Sequence, residues 1–143
     1  MGATGFSTFD KTIDKTNHVL AEIEHAHGWS KEERNKSYDA LRAVLHTLRD
    51  RLTVDECAHL AAQLPLLVRG VYYEGWDPSR VPVKMDREQF LESVRRGFPY
   101  EADGGMERLV STVLQSLRQY VTEGEWEDIK SSISRDLRPL IPV

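Results

Sequence analysis

Apolar residues recur along this chain at the three-and-four spacing of an α-helix, not at the alternation of a half-buried strand. Ile13, Leu20 and Ile23 share a face between Asp10 and His27, and Gly28 follows where a left-handed cap is least strained. Ser30 and Glu33 have capping-box spacing. Tyr38, Leu41, Val44, Leu45, Leu48 and Leu52 then line a second helix to about Arg51. Thr53 and Glu56 repeat the box ahead of a stripe of Cys57, Leu60, Ala61 and Leu64. Pro65 lacks a backbone donor, so it suits the start of a short fourth helix reaching Tyr72. Gly75, Pro78 and Pro82 then break the period between Glu74 and Met85, which predicts a loop with an extended piece near Val81 to Lys84. Asp86 and Gln89 open a helix carrying Phe90, Leu91 and Val94, with Gly97 as its stop. A helix from about Met106 to Tyr120, a Thr122–Glu125 box, the stripe Trp126, Ile129 and Ile133, and a closing Leu137, Leu140 and Ile141 complete the pattern.

The pattern occurs twice. A shift of 69 residues lays Val44, Leu45, Leu48, Arg49, Thr53, Glu56 and Arg69 on identical Val113, Leu114, Leu117, Arg118, Thr122, Glu125 and Arg138. Leu41, Leu52, Leu60, Leu64 and Val68 meet Val110, Val121, Ile129, Ile133 and Leu137, while Gly28 meets Gly97 and Trp29 meets Phe98. The expected class is all-α: two tandem, related units of about four helices each, packed as a pseudo-twofold single domain around one core. The divisions are residues 1–9 as an N-terminal tail, 10–73 as the first unit, 74–85 as the inter-unit loop and 86–143 as the second unit. Two copies fall below the roughly three that an open solenoid needs.

The segment Gln63-Leu64-Pro65-Leu66-Leu67-Val68-Arg69-Gly70-Val71-Tyr72-Tyr73-Glu74-Gly75-Trp76-Asp77-Pro78, with Val44 to Leu52 before it, resembles a bacterial family of unknown function, domain-of-unknown-function family 2267. The resemblance runs from about Phe9 to Pro142, and its specific part is the Leu-Pro to Gly-Trp stretch. Where the family shows a second Leu-Pro, this chain has Ile133-Ser134, which keeps the helix break. The resemblance implies a soluble bacterial helical protein and brings no activity with it.

Composition narrows the field. A chain of 143 residues can bury a core without staples, and a net charge of −4 argues against a dedicated nucleic-acid binder. Cys57 is the single cysteine, which excludes an internal disulfide and fits a reducing cytoplasm. No run approaches the roughly 18 apolar residues of a membrane helix, so a soluble, unexported protein is expected. Met1-Gly2 begins a myristoylation pattern that Phe6 breaks, since position 6 calls for Ser or Thr.

Candidate chemistry is sparse. Arg69, Tyr72, Tyr73 and Trp76 gather arginine and aromatic side chains at the junction of the units, the composition of interface hot spots, and read either as an inter-unit clasp or as a partner or ligand surface. Arg69 and Arg138 are repeat equivalents, which predicts paired structural ion bridges. His18 and His25 share a helical face, but His25 and His27 do not, and the histidines are expected in solvent, so no metal site is predicted. Cys57 aligns with Trp126 and reads as a buried stripe residue. Glu22, Glu24, Glu32, Glu33, Glu101 and Asp103 read as exposed or helix-start carboxylates. No nucleophile elbow, phosphate loop or zinc helix is present, so no catalytic residue or cofactor is named. The leading expectation is a noncatalytic interaction protein with an unknown protein partner, and self-association as a further expectation. The alternatives are a small-ligand or metal binder using a cleft between the units, and an enzyme whose residues meet only in space.

Overall fold

A computed structural model describes residues 3–142. Met1 and Gly2, and with them the myristoylation question, lie outside the described residues, as does Val143 at the end of the second unit. The fold is all-α: α1 (Ser7–His27), α2 (Arg34–Arg51), α3 (Val54–Gln63), α4 (Leu66–Tyr73), α5 (Arg87–Gly97), α6 (Gly105–Ser116) and α7 (Glu123–Ser132), with short 3-10 turns at Lys31–Glu33, Pro78–Arg80 and Arg135–Leu140. No β-strand occurs among the described residues. The stretch near Val81 to Lys84 is extended but unpaired, tied to the end of α2 by the Val83 N–H donating to the Asp50 carbonyl at 2.7 Å.

Helix starts follow their caps. Glu33 accepts the Ser30 N–H at 2.9 Å, and full reciprocal boxes close at Thr53–Glu56 and Asp86–Gln89. The fourth box is half-built: Thr122 takes the Glu125 N–H at 3.1 Å, but the Thr122 N–H goes to Gln63 of the first half at 2.8 Å. α1 starts earlier than Asp10, because Asp10 accepts both the Thr4 N–H and the Thr4 hydroxyl and so anchors the turn ahead of Ser7.

The two glycines that stop helices do so for different reasons. Gly28 has φ of 68°, a left-handed cap whose N–H donates to His25 and Glu24 carbonyls. Gly97 has no positive φ; a Cβ there would sit 2.9 Å from the Ala43 Cβ, so its missing side chain lets α5 approach α2. Gly97 is therefore a packing glycine rather than the cap its alignment with Gly28 suggested.

α6 is shorter than its spacing predicted, ending at Ser116 instead of Tyr120. The Ser116 hydroxyl occupies the Val113 carbonyl at 2.5 Å, and the Leu117 N–H turns to Leu114 instead, tightening the chain into turns. Thr47, the equivalent residue of α2, bonds across to Ser93 on α5 at 2.9 Å, and α2 continues to Arg51.

One buried cluster runs from Val19 to Ile141 and draws on both halves, with Leu41, Leu45, Leu48, Cys57, Tyr72, Leu109, Leu114 and Trp126 at its centre. α2 packs against α1, α4, α5 and α6; α1 packs against α6, and α3 against α7. Under the 69-residue pairing of α1 with α5 and α2 with α6, the α1–α6 and α2–α5 contacts exchange. Trp29 stacks on its own equivalent, Phe98, with ring centres 5.7 Å apart and planes at 23°. His27 and Tyr100 extend that stack at 4.8 and 5.1 Å, and the Lys36 ammonium lies 5.9 Å from Trp29 and 5.8 Å from Tyr100.

Candidate functional site

The C-terminal end of α4 brings Tyr72, Tyr73 and Trp76 into one chain of rings, each 5.2 Å from the next. Tyr72 is sealed in the core at 0% exposure, its hydroxyl donating to the Cys57 carbonyl at 3.0 Å. Burial pushes that phenol far above its ordinary range. Tyr73, Trp76 and Arg69 are half-buried. Arg69 donates to the Leu64 carbonyl at 2.9 Å, and Arg138 donates to the Lys130 carbonyl at 3.1 Å. Neither forms the ion bridge expected of the pair. Each instead ties down a carbonyl at the end of the helix before it, where unpaired acceptors and the negative end of the helix dipole favour a cation.

Arg49 holds the same region from below. It is buried, donates to the Tyr72 and Glu74 carbonyls at 2.9 and 2.8 Å and pairs with Asp50 at 2.9 Å. Its repeat equivalent Arg118 is exposed.

Two surfaces stand out beyond that segment. On the first, α4 buries Val68 and Tyr72 and leaves Leu66 51% and Leu67 43% exposed, beside Phe6 at 54% and Phe9 at 49% at the start of α1. Phe9, Thr12, Ile13, Leu66, Leu67 and Gly70 line a shallow, almost wholly apolar depression of about 390 Å³. The Leu67 N–H donates to the Thr12 hydroxyl at 2.8 Å and fixes α4 against α1. Sequence reasoning missed this face by assigning Phe6 and Phe9 to a tail and giving Leu66 and Leu67 no role of their own. The signal was in α4 itself, whose Leu66, Leu67, Val68, Val71, Tyr72 and Tyr73 are apolar all round, more than one buried face can use.

The second surface is a groove of about 580 Å³ between α1 and α6, the two helices contributed by different halves. His18, Glu22 and His25 rise from α1 around Ala21 and Ala26; Arg108, Ser111, Thr112 and Gln115 face them from α6. Arg108 lies at the C-terminal end of α1, donating to the Ala26 carbonyl at 2.5 Å and to the Asp103 carbonyl at 2.9 Å. Farther along, His18 and Glu22 approach to 3.0 Å and Glu22 lies beside Gln115. The face shared by His18 and His25 is thus real, and it borders the groove between α1 and α6.

The remaining titratable side chains divide between solvent and core. His18, His25 and His59 are exposed as expected, but His27 and His46 are not. His27 is buried with neither ring nitrogen partnered, and burial, aided by Arg108 and opposed by Asp103, lowers its pKa. His46 is half-buried against the Val71 carbonyl at 2.7 Å; burial lowers its pKa despite that bond. Glu24 is buried as well, clamped by Arg34 through two bonds of 3.0 and 3.1 Å and by the Ser37 hydroxyl at 2.6 Å. Burial alone would raise its pKa, but those bonds hold it below the usual carboxylate range. Cys57 is buried, and burial pushes its thiol up, away from the reactive thiolate. Among the described residues, no group of three or more His, Cys, Asp or Glu side chains is arranged to hold a metal ion, and no helix is long and apolar enough to cross a membrane.

The family model for an uncharacterized conserved protein, DUF2267, matches residues 16–140. Among curated proteins, none matches the chain.

Proposed function

Because the chain belongs to DUF2267, a family of uncharacterized conserved proteins, its surfaces carry the functional reading, and we propose a noncatalytic bacterial protein that acts through protein–protein contact, docking a second copy of itself on the α1–α4 apolar face. The single observation behind this reading is the exposure of Phe9, Leu66 and Leu67 around one apolar depression, with the exposed Phe6 edge-on against Phe9. Large apolar side chains gathered on one face, rather than scattered, are what contact surfaces present. Tyr73, one helical face with Leu66 and Gly70, and Arg69 beside it extend the surface as a half-buried rim.

An apolar patch is complementary to itself, which is what an isologous contact between two copies requires, so the reading takes a second copy as the occupant. The reading takes the cytoplasm as the compartment, which the lone thiol of Cys57 supports. It also takes the two halves as pseudo-twofold units, which the exchange of α1–α6 and α2–α5 contacts supports.

Sedimentation equilibrium tests the proposal. The wild type is expected to weigh as a dimer at about 100 µM, a concentration that detects micromolar association. Leu66→Glu is expected to return it to a monomer with an unchanged melting temperature, because the side chain is already half in solvent. A monomeric wild type, or a Leu66→Glu protein of unchanged mass, overturns the reading.

A further inference from the structure

We infer that the groove between α1 and α6 binds a small organic acid, a carboxylate carried on an apolar body. The repeat supplies the internal control. Under the 69-residue shift the groove face of α6, Arg108, Ser111, Thr112 and Gln115, corresponds to Asp39, Arg42, Ala43 and His46 on α2. Every one of those α2 residues is used by the fold: Asp39 accepts the Tyr100 hydroxyl at 2.9 Å, Arg42 pairs with Glu74 at 3.0 Å, Ala43 packs on Gly97, and His46 meets the Val71 carbonyl at 2.7 Å. On α6 the corresponding side chains have no side-chain partner among the described residues, and they line an open space of about 580 Å³. That size lies within the roughly 300–1,000 Å³ of small-molecule sites, which combine an apolar wall with a few converging polar groups.

The chemistry of the lining selects the ligand. Arg108 is fixed by two main-chain carbonyls, from Asp103 and Ala26, and by no carboxylate. Its charge is unneutralised, while its remaining N–H donors form the planar fork that suits a carboxylate. His25 stands at the same end of the groove. The one acidic side chain of the lining, Glu22, is held by His18 at 3.0 Å one helical turn before Ala26, whose carbonyl Arg108 meets, which leaves Arg108 the charged group at its own end of the groove. Ala21 and Ala26 supply the apolar wall, and Ser111, Thr112 and Gln115 supply hydroxyl and amide groups along the opposite side. A carboxylate at Arg108 with its hydrocarbon lying toward Gln115 satisfies both ends.

Amide NMR titration of the full chain tests this with three probes: hexanoate, hexanol and inorganic phosphate. Hexanoate is expected to shift amides of residues 18–26 and 105–116 saturably, while hexanol, which lacks the charge, and phosphate, which lacks the body, leave them in place. Arg108→Gln should weaken hexanoate roughly tenfold or more, the loss of one charge-assisted contact. Ser111→Leu should do the same by filling the groove without touching the guanidinium, and it decides the matter if Arg108→Gln fails to fold. The inference is overturned if hexanoate moves no groove amide, if hexanol or phosphate moves them equally, or if binding survives Ser111→Leu.

Discussion

Helix α2, and α6 with the turn that follows it, occupy equivalent repeat positions and share Val44/Val113, Leu45/Leu114, Leu48/Leu117 and Arg49/Arg118, yet the fold treats their outer faces differently. On α2 the polar residues are consumed: Arg42, His46, Thr47 and Arg49 all have partners on α4, on α5 or in the turn after α4. Of their equivalents, Ser111 and Gln115 on α6 have no side-chain partner among the described residues, Ser116 turns back onto the Val113 carbonyl, and Arg118, just past the helix, is exposed. The apolar stripe is held to one role in both halves because both stripes meet in one core. A polar side chain takes its role from whichever element stands beside it, and the neighbours differ. α4 in the first half is a full helix ending at Tyr73, whereas its counterpart is a 3-10 turn over Arg135–Leu140. Sequence identity across the repeat therefore predicts burial far better than it predicts bonding.

The comparison breaks most visibly at the shared arginine. Arg49→Ala strands the Tyr72 and Glu74 carbonyls and removes a buried charge with all its bonds, and is expected to cost about 3 kcal/mol of unfolding free energy. Arg118→Ala should stay within about 0.5 kcal/mol. Urea unfolding of the two variants side by side measures the difference, and equal effects would mean that α2 and α6 are bonded alike after all. Next in size is the close approach at Gly97. Gly97→Val forces α5 off Ala43 and should cost about 2 kcal/mol by overpacking, while Thr112→Val, at the position equivalent to Ala43 but facing open space, should be nearly silent in the same assay.

The smallest effect concerns the paired carboxylates Glu56 and Glu125. Burial alone would raise both. At Glu56, bonds from the Ser132 hydroxyl and from Thr53 overcome burial and lower its pKa. At Glu125, burial is reinforced by Asp128 and Glu56, against His59, and its pKa is raised. Glu56 thus contributes stability that is present above the ordinary glutamate pKa and lost as the pH falls through its lower folded value. Glu125 has the opposite sign: its ionisation destabilises the fold as the pH rises through its raised folded value. Glu125→Gln should accordingly raise the melting temperature at pH 7 by a degree or so, an effect of roughly 0.5 kcal/mol, and lose the advantage at acidic pH. Glu56→Gln should lower it at pH 7. Matched melting curves across the pH range read both signs.

Much of the scaffold was legible from residue spacing. The boxes at Ser30, Thr53 and Asp86, the break at Pro65 and the stripe position of Cys57 depend on local chemistry that a sequence states directly. What escaped depends on contacts between distant segments. Glu24 is buried only because Arg34 and Ser37 reach it, and His46 only because α4 ends over it. Tyr38, assigned to the apolar face of its helix, is 38% exposed near the start of α2, whereas Leu41, Val44, Leu45 and Leu48 farther along that face are fully buried. Among the candidate residues, the sequence singled out Arg69, Tyr72, Tyr73 and Trp76 by type, and the structure shows them in contact or in succession around one helix end. It could not single out Arg108, because an arginine at a helix start is ordinary until the space beside it is seen.

The Trp29–Phe98 stack gives the molecule an optical handle. Trp29 joins the two halves at their seam, stacked with both His27 and Phe98. A charged imidazole quenches an adjacent indole, so the emission of Trp29 records both the protonation of His27 and the separation of the halves. Trp126 is buried and Trp76 half-buried elsewhere, and replacing both with Phe would leave a single tryptophan, whose selectively excited emission reports on the seam alone.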